Sequence, residues 1–511
     1  MNNFQNENRF AKNTSHSTFK KFLAILLCAV MLVPMLAACK KTEKKPDDTP
    51  ANQGQRADET PTSVPDDLRF EGEKFTVLCR EDNAFGTFLY EIEADENETD
   101  IVNQAVYERN LRIEERFGVD YVAHAIPGQW NAKDDFLNTM RNSILSGSQA
   151  FDLIMAYQGY ITDLGVADLH MNLHDVPYLS DDLNNVYFFQ DNVKELTVND
   201  TLYFLVGDYS LTYWEYLYVM YFNKQIAENE NLEDIYQLVR DGKWTIDKCI
   251  EMAKGVFRDL DGDGWPSGED QFGYISDIPN TTDAFFSHFD IQSTHIDDSG
   301  NLVVDLDQGK MVSILEKMLN FYETDDVFTF YSTSDMTADQ IPLDSIFTEN
   351  RTLFYPERLD KAQTYRSMET DFGIVPYPKW DELQEGYYTQ SQGGYSVAVI
   401  PIDAKNPEMS GALLDVLSAL SYDYVTPAYY ELALKGKFAR DEESGEMLDL
   451  IRQGVKINLG YYYYAELGTG EIFRVMIDQK NTNFASYYAA KKKGFERNLK
   501  KIVATYDRDE E

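Results

Sequence analysis

The sequence predicts an α/β fold with more than one domain. Apolar, strand-like runs alternate with amphipathic helix patterns along the first folded segment. The body after residue 68 holds roughly 440 residues, whereas single hydrophobic cores stop growing beyond about 250–300 residues. Strands that alternate with helices favour largely parallel sheets with helices on both faces, because each helix returns the chain to the same edge of the sheet.

The first folded segment contains three strand patterns and two helix patterns. Each strand is a short apolar run, and each helix repeats its apolar residues at helical spacing. Asp100 is the predicted N-cap of the first helix, and Gly118 ends it. In chain order the predicted elements are the strand Phe75–Cys79, a helix over 100–117, the strand Val119–Ala123, a helix over 134–146 and the strand Phe151–Ala156.

Strands and helices continue through the rest of the chain, and the C-terminal third is predicted to be mostly helical. Thr245 is a predicted helix cap, and Asn406 and Pro407 open a later helix. The further predicted strands are Leu202–Val206, Tyr216–Phe222, Gln271–Ile275, Thr352–Tyr355 and Tyr395–Pro401.

The chain opens with a cationic, then apolar, then small-residue pattern. Two lysines precede the apolar run Phe22–Met35, and Leu-Ala-Ala leads into Cys39. This order resembles a bacterial lipoprotein signal, which implies removal of residues 1–38 and a lipid, such as palmitate, on Cys39. The alternative is a transmembrane anchor, but the run is shorter than the ~20 residues of a spanning helix and contains Pro34.

The segment that follows the signal is polar. Residues 40–67 are rich in Pro, Asp, Thr and Lys and have few large apolar side chains, which predicts a disordered tether within 39–68. Signal and tether together predict a protein held by its N-terminal lipid at the extracellular face of a bacterial cell membrane.

Composition limits the possible partners. The formal net charge is −41, so the surface repels phosphate backbones, and nucleic acid is excluded as a partner. The chain has 34 tyrosines, whose amphipathic rings suit a cleft that stacks on flat solutes. Cys79 lies in an apolar strand and Cys249 on the apolar face of a helix, so both are predicted to be buried thiols rather than a disulfide.

An aspartate-rich loop predicts a structural calcium site. Residues 259–270 place acidic side chains at positions 1, 3 and 5, glycine at position 6 and a carboxylate at position 12, as in a calcium-binding loop. The predicted ligands are Asp259, Asp261, Asp263, the backbone carbonyl of Trp265, and Asp270. The alternative is a series of surface turns, because position 12 is Asp rather than Glu and a strand follows. No catalytic cofactor is expected.

Three short motifs indicate a family. They are Tyr221-Phe222-Asn223-Lys224, then Gly242-Lys243-Trp244-Thr245-Ile246-Asp247, then Phe372-Gly373-Ile374-Val375-Pro376-Tyr377-Pro378 followed by Gly393-Gly394. In order and spacing they resemble the family 1 extracellular solute-binding proteins, the sugar-type receptors of ABC importers that include maltose-binding proteins. The resemblance runs from about Phe75 to the C-terminus. It implies a two-lobed, periplasmic-binding-protein-like fold of type II, with hinged lobes of mostly parallel sheet flanked by helices.

The resemblance also implies a domain organisation. Lobe I would comprise 69–204 with 376–424, and lobe II would comprise 205–375 with 425–511. The hinges would lie near Leu205, Val375 and Asp423. Cys79 and Cys249 would then belong to different lobes, where a disulfide would lock a hinge that has to move.

Candidate ligand-binding residues follow the predicted strands. Ligands of doubly wound sheets bind outside the carboxyl ends of strands, and sugars need aromatic faces together with polar groups for their hydroxyls. The aromatic candidates are Tyr157, Trp214, Tyr355 and Tyr395, and the polar candidates are Asp82, Gln158, Asp208, Glu357 and Arg358. For each residue the alternative is an ordinary core aromatic or a solvated charge.

Resemblance and anchor together predict a solute-binding lipoprotein. It would deliver a carbohydrate, and an oligosaccharide rather than a monosaccharide, to the permease subunits of an ABC importer by cleft closure, as a monomer and without catalysis. A surface-anchored glycoside hydrolase or lyase is the alternative, because paired carboxylates can meet in so acidic a chain. A scaffold or sensor subunit on the same fold is a third possibility.

Overall fold

The computed structural model describes residues 59–82, 88–297, 301–330, 342–439 and 441–507. The predicted signal, Cys39 and the tether up to residue 58 lie outside the described residues. The strands are β1 (Lys74–Arg80), β2 (Asp120–Ile126), β3 (Leu153–Tyr157), β4 (Tyr218–Asn223), β5 (Phe272–Asp277), β6 (Thr294–Ile296), β7 (Leu302–Val304), β8 (Val327–Phe330), β9 (Thr352–Arg358), β10 (Phe372–Val375) and β11 (Ser396–Val399).

Helices connect and cover these strands. They are α1 (Ile101–Phe117), α2 (Lys133–Leu145), α3 (Gln158–Ile161), α4 (Leu179–Asp182), α5 (Gln190–Leu196), α6 (Leu211–Glu215), α7 (Lys224–Asn229), α8 (Ile235–Arg240), α9 (Ile246–Ala253), α10 (Ile278–Thr281), α11 (Phe285–His288), α12 (Gln308–Tyr322), α13 (Leu343–Thr348), α14 (Ala362–Tyr365), α15 (Pro407–Leu420), α16 (Glu442–Gln453), α17 (Leu459–Tyr462), α18 (Tyr464–Leu467), α19 (Ile472–Asp478) and α20 (Phe484–Ala504). Two π-helical segments, Ser421–Val425 and Ala428–Phe438, follow α15.

The two main sheets are mixed. The first has the order β11-β3-β1-β2, with β1 parallel to both of its neighbours and β11 antiparallel to β3. The second has the order β10-β4-β9-β5-β8, in which β4 is antiparallel to β9 and β10, while β5 is parallel to β9 and β8. Two sheets flanked by helices confirm the predicted α/β, two-lobed fold class. The lobe boundaries and hinges stay predictions.

Most predicted elements are present, with the expected caps. Asp100 accepts hydrogen bonds from the backbone N–H groups of Val102 and Asn103, at 2.9 and 3.2 Å, and Gly118 ends α1 in the left-handed conformation at φ 67°. Thr245 caps α9 and Asn406 caps α15 in the same way.

Two strand predictions need correction. Leu202–Val206 is not a strand, because it meets β11 through only one bridge, between Leu205 and Ala398. The strand predicted to end at Tyr355 continues as β9 to Arg358, through Pro356. Proline is tolerated there because β5 pairs with β9 only as far as Phe354, so the strand has one neighbour at Pro356.

The end of the predicted tether packs on the body. Thr60 donates from its backbone N–H and its hydroxyl to the Asp423 carboxylate, both at 2.7 Å, and Glu59 pairs with Arg112 at 2.7 Å. Val64 is 3% exposed. The ordered body therefore begins before residue 68, where the sequence placed the boundary.

Both cysteines of the described residues are free and buried, as predicted. Cys79 lies in β1 of the first sheet, and Cys249 lies in α9, which packs on β5 of the second sheet. Burial raises the pKa of the Cys79 thiol to about 12. Neither thiol is therefore reactive at neutral pH.

Candidate ligand-binding site

The carboxyl ends of β1, β2 and β3 lie at one edge of the first sheet, because these strands are parallel. β1 ends at Arg80, β3 ends at Tyr157, and Trp130 lies in the connection that follows β2. β11 runs antiparallel to β3, so Tyr395, directly before β11, belongs to the same edge. This is the edge at which open α/β sheets bind ligands.

Five aromatic rings form a connected surface here, which we call the aromatic surface. Tyr157 stacks on Tyr160 with ring centroids 5.3 Å apart and lies 6.3 Å from Trp130. Trp130 stacks on Tyr464 at 6.2 Å, and Tyr464 stacks on Tyr461 at 6.0 Å. Trp130 is 44% exposed, so part of its indole is open to solvent. Rings of this kind offer flat apolar faces to a ligand.

Gly159 permits the close packing of these rings. A Cβ atom at this position would lie 2.5 Å from Cε1 of Tyr157 and 2.8 Å from the hydroxyl oxygen of Tyr464. Any larger residue would therefore displace two rings of the aromatic surface.

Arg80 places a buried guanidinium beside the rings. The group lies 4.0 Å from the Phe88 centroid and 5.1 Å from the Tyr157 centroid, and Arg80 is 1% exposed. Its Nη2 donates to Ser396 Oγ at 3.1 Å, whereas Nε and Nη1 have no hydrogen-bond partner among the described residues. Buried donors are nearly always satisfied, so these two nitrogens are suited to donate to a bound molecule or water.

Arg358 supplies a second guanidinium from the end of β9. It lies 4.1 Å from the Tyr216 ring centroid, and its Nη2 donates to Asp360 Oδ2 at 3.1 Å. Burial raises the pKa values of Tyr157 and Tyr216. The positive charges of Arg80 and Arg358 act on both hydroxyls in the opposite direction and offset part of this increase. The end of β9 in the second sheet is therefore close to the ligand edge of the first sheet.

An ion pair borders the other end of the aromatic surface. Arg474 donates from Nε to Asp283 Oδ1 at 3.3 Å and from Nη2 to Oδ2. Asp283 is 6% exposed, and both charges act on the hydroxyls of Tyr461 and Tyr464. Charged and polar atoms therefore stand at both ends of the ring cluster, as the hydroxyls of a sugar require.

Of the predicted ligand-binding residues, the structure brings Tyr157 and Arg358 together at this site. Glu357 is half-buried beside Arg358, whose backbone N–H it accepts at 2.8 Å, and burial raises the pKa of its carboxyl. Tyr355 is 3% exposed and donates from its hydroxyl to Asp344 Oδ1 at 3.1 Å, so it packs in the interior behind Glu357.

Three further predicted residues make local contacts near the edge. Asp82 is exposed and accepts the backbone N–H groups of Phe88 and Leu89, at 2.6 and 2.7 Å. Gln158 is fully buried and donates to the carbonyl of Tyr462 at 2.6 Å. Tyr395 packs edge-on against Tyr213 at 4.8 Å and borders a cavity of only about 10 Å³, which has room for one water.

Trp214 and Asp208 form an interior pair. The indole N–H of Trp214 donates to Asp208 Oδ1 at 3.3 Å, and the hydroxyl of Thr426 donates to the same oxygen at 2.6 Å. The two residues are 4% and 2% exposed, and burial raises the pKa of Asp208 to about 6. These contacts suit a core role, and a ligand role for either residue finds no support in its surroundings.

The aspartate-rich loop lies apart from this edge, before β5. One carboxylate oxygen from each of Asp259, Asp261 and Asp263 lies within 4.8 Å of the others, and all three residues are exposed. Asp270 is buried, and its two oxygens accept the backbone N–H groups of Leu260 and Ser267 at 2.8 and 2.9 Å. Asp270 therefore ties the two ends of the loop together.

No protein-family model matches the sequence, and no curated protein matches it. Solved structures do match its fold. A sugar transporter protein from Rhizobium etli in an open conformation aligns with a TM-score of 0.54 at 14% identity, over 85% of this chain and 100% of that one. The chain shares the fold of this protein.

Two further structures agree with this match. The galacto-N-biose/lacto-N-biose I-binding protein of an ABC transporter from Bifidobacterium longum, in complex with lacto-N-biose, has a TM-score of 0.52 at 12% identity over 84% of this chain and 97% of that one. A family 1 extracellular solute-binding protein from Bifidobacterium longum subsp. infantis has a TM-score of 0.50 at 12% identity over 86% and 99%. The resemblance read from the sequence is confirmed at the level of the fold.

Several residues of the site were missed from the sequence. Trp130, Tyr216, Tyr461 and Tyr464 are not among the ligand-binding residues predicted from the sequence. A signal was present for two of them, since Tyr461 and Tyr464 belong to a run of four consecutive tyrosines. Such a run is unusual for a helix that buries one face.

Proposed function

We propose that this chain is a carbohydrate receptor of an ABC importer, which encloses its ligand between the two lobes. The observation that carries the proposal is the aromatic surface with its exposed Trp130, flanked by the Arg80 guanidinium and the Asp283–Arg474 pair. Two proteins of the same fold, one described as a sugar transporter and one as a binding protein in complex with lacto-N-biose, support the same ligand class.

An oligosaccharide fits this surface better than a monosaccharide. The rings from Tyr157 through Trp130 and Tyr464 to Tyr461 are separated by successive steps of about 6 Å, so they extend beyond a single sugar ring. The receptor would act as a monomer, release its ligand unchanged to the permease subunits, and gain its closure energy from contacts made only in the liganded state.

Membrane attachment completes the proposal. A lipid on Cys39 would hold the mature chain at the extracellular face of the cell membrane, with the segment up to residue 58 as its tether. Within the described ranges, the structure contains no helix with the length and apolar character of a membrane span.

Thermal denaturation against a saccharide library tests the proposed function. A ligand at ~100 times its Kd should add ~2.7 kcal/mol to the free energy of unfolding. We expect at least one oligosaccharide to raise the Tm and to be recovered unchanged after incubation. Cleavage products would indicate the hydrolase or lyase alternative, and no shift with any saccharide would contradict the proposal.

We also propose a structural Ca²⁺ in the aspartate-rich loop, bound by Asp259, Asp261 and Asp263, with the Trp265 carbonyl and Asp270 as further predicted ligands. Three close, exposed carboxylates suit a hard cation. A chelator should lower the Tm of the wild type, and Asp261→Ala should abolish that response. Glu269→Ala, an exposed carboxylate of the same loop outside the ligand set, is the control. If the chelator leaves the wild-type Tm unchanged, the loop is a series of surface turns that binds no structural Ca²⁺.

A further inference from the structure

A solvent-open groove adjoins the aromatic surface. Its volume is about 370 Å³, within the range of ~300–1,000 Å³ that is typical of small-molecule sites. Its walls come from the start of α2, the loop after α3, the helix α18 and the last helix α20. The lining side chains that matter here are those of Lys133, Asp163, Leu164, Glu466, Asn498 and Lys501.

One contact and one shared helix join this groove to the aromatic surface. The Lys133 ammonium lies 4.5 Å from the centroid of the Trp130 ring, so one lining residue of the groove contacts the indole. Glu466 shares the short helix α18 with Tyr464, the residue on which Trp130 stacks. A molecule that lies along the rings therefore reaches the groove as it passes Trp130.

The groove offers both donors and acceptors. Lys133 and Lys501 carry positive charge, Asp163 and Glu466 carry carboxylates, and Asn498 supplies an amide. Glu466 accepts the Thr162 hydroxyl at 3.1 Å, and burial raises the pKa of its carboxyl to about 7. The groove carries groups of both signs, so an anionic ligand would be opposed by the carboxylates and a cationic one by the lysines. A neutral polyhydroxyl ligand can use both kinds of group.

We propose that this groove is an outer saccharide subsite, and that the ligand is a neutral oligosaccharide whose inner units lie on the aromatic surface and whose outer units lie in the groove. This inference rests on the proposed carbohydrate function and adds to it a second site and a charge class. Affinity should consequently increase with chain length until the groove is filled, and then become constant.

Calorimetric titration of the full-length protein tests the subsite. The probes are maltodextrins, cellodextrins and xylo-oligosaccharides of increasing length, together with oligogalacturonides as acidic counterparts. Asn498→Ala and Lys501→Ala alter the groove. The matched control is Lys500→Ala, because Lys500 is exposed on the same helix and does not line the groove. In the neutral series that binds, we expect the groove variants to raise the Kd of the longest members about 5- to 10-fold, the size of one lost hydrogen bond, with the shortest members unchanged.

The outcomes separate the two proposals. A wild type that binds neutral saccharides, with groove variants that keep the wild-type Kd at every length, would overturn the outer subsite and leave the carbohydrate function in place. Oligogalacturonides that bind more tightly than every neutral series would overturn the charge class. A wild type that binds no saccharide of any kind would overturn the carbohydrate function, and the subsite with it.

Discussion

Two tryptophans of this chain lie in opposite environments. Trp130 is 44% exposed on the aromatic surface, and Trp214 is 4% exposed with its N–H bonded to Asp208. We predict that Trp130→Ala weakens oligosaccharide binding by ~1–3 kcal/mol with little change in stability. Trp214→Ala should instead cost ~3–5 kcal/mol of stability, because it empties a packed site. Calorimetry and urea denaturation of both variants provide the two readouts.

Two results would contradict the assignment of Trp130 to the ligand site and of Trp214 to the core. A Trp214→Ala protein that folds as well as the wild type and binds sugar weakly would restore Trp214 as a ligand residue. A Trp130→Ala protein that binds normally would remove the aromatic surface from the site. Trp380→Ala is a useful control, because Trp380 packs between Phe289 and Lys317 rather than on these rings.

A carboxyl beneath the site makes stability depend on pH. Glu215 accepts the Tyr90 hydroxyl, and burial is the largest cause that raises the pKa of its carboxyl to about 8. An unfolded glutamate titrates near 4.3, so the folded chain holds this proton more tightly than the unfolded chain does. The stabilisation is complete below about pH 4 and is lost progressively as the pH rises to about 8.

Glu215→Gln isolates this effect, because an amide resembles the protonated acid at every pH. We predict that wild type and variant unfold at similar urea concentrations near pH 4, and that the wild type becomes progressively the less stable of the two as the pH rises to about 8. A constant difference between them across this range would show that the carboxyl titrates normally.

At the scale of the element, the N-terminal segment lies on a predicted hinge. Thr60 donates two hydrogen bonds to Asp423, which belongs to the π-helical segment Ser421–Val425. Segments of π-helix are frequent at functional sites, and the sequence placed a hinge here from the family resemblance alone. The described part of the predicted tether is therefore hydrogen-bonded to the region in which we expect the hinge to move.

Removing this carboxylate should release the segment. We predict that Asp423→Ala makes the chain near residues 59–64 several-fold more sensitive to limited proteolysis. A protease cuts this segment while it is detached from the body, and loss of the Asp423 hydrogen bonds increases the detached fraction. Glu496→Ala, an exposed acid on α20, is the matched control. Equal cleavage rates in the two variants would mean that the Asp423 contacts do not hold the segment.

The elements that the sequence predicted are those with strong local signals. Asp100, Thr245 and Asn406 all cap helices as expected, because capping depends on residues within one turn. The strand predicted at Leu202–Val206 was wrong, because an apolar run in the sequence does not show how many neighbouring strands it will pair with. The extension of β9 to Arg358 was missed because proline normally ends a central strand.

At the scale of the molecule, the site was only partly predictable. Tyr157 and Arg358 were predicted because each lies at the end of an apolar strand, and parallel strands bring such ends together. The stack of Trp130 on Tyr464 joins positions far apart in sequence, in segments without a strand pattern. Trp214 was predicted because, in the sequence, an aromatic residue after a predicted strand looks the same whether it faces a ligand or the core, and its ligand role stays a prediction.

Ligand-induced closure between the lobes is the most direct test of the proposed function. Spin labels at Leu145→Cys and Lys254→Cys would report the distance between the first sheet's helix α2 and the second sheet's helix α9, since both positions are exposed and Cys79 and Cys249 are buried. With Cys28 and Cys39 replaced by Ser, pulsed electron–electron double resonance is measured with and without the oligosaccharide that raises the Tm most. We predict that saturating sugar shifts the distance distribution to shorter values and that the sugar is recovered intact. An unchanged distribution at saturation, or a cleaved sugar, would contradict a receptor that works by closing.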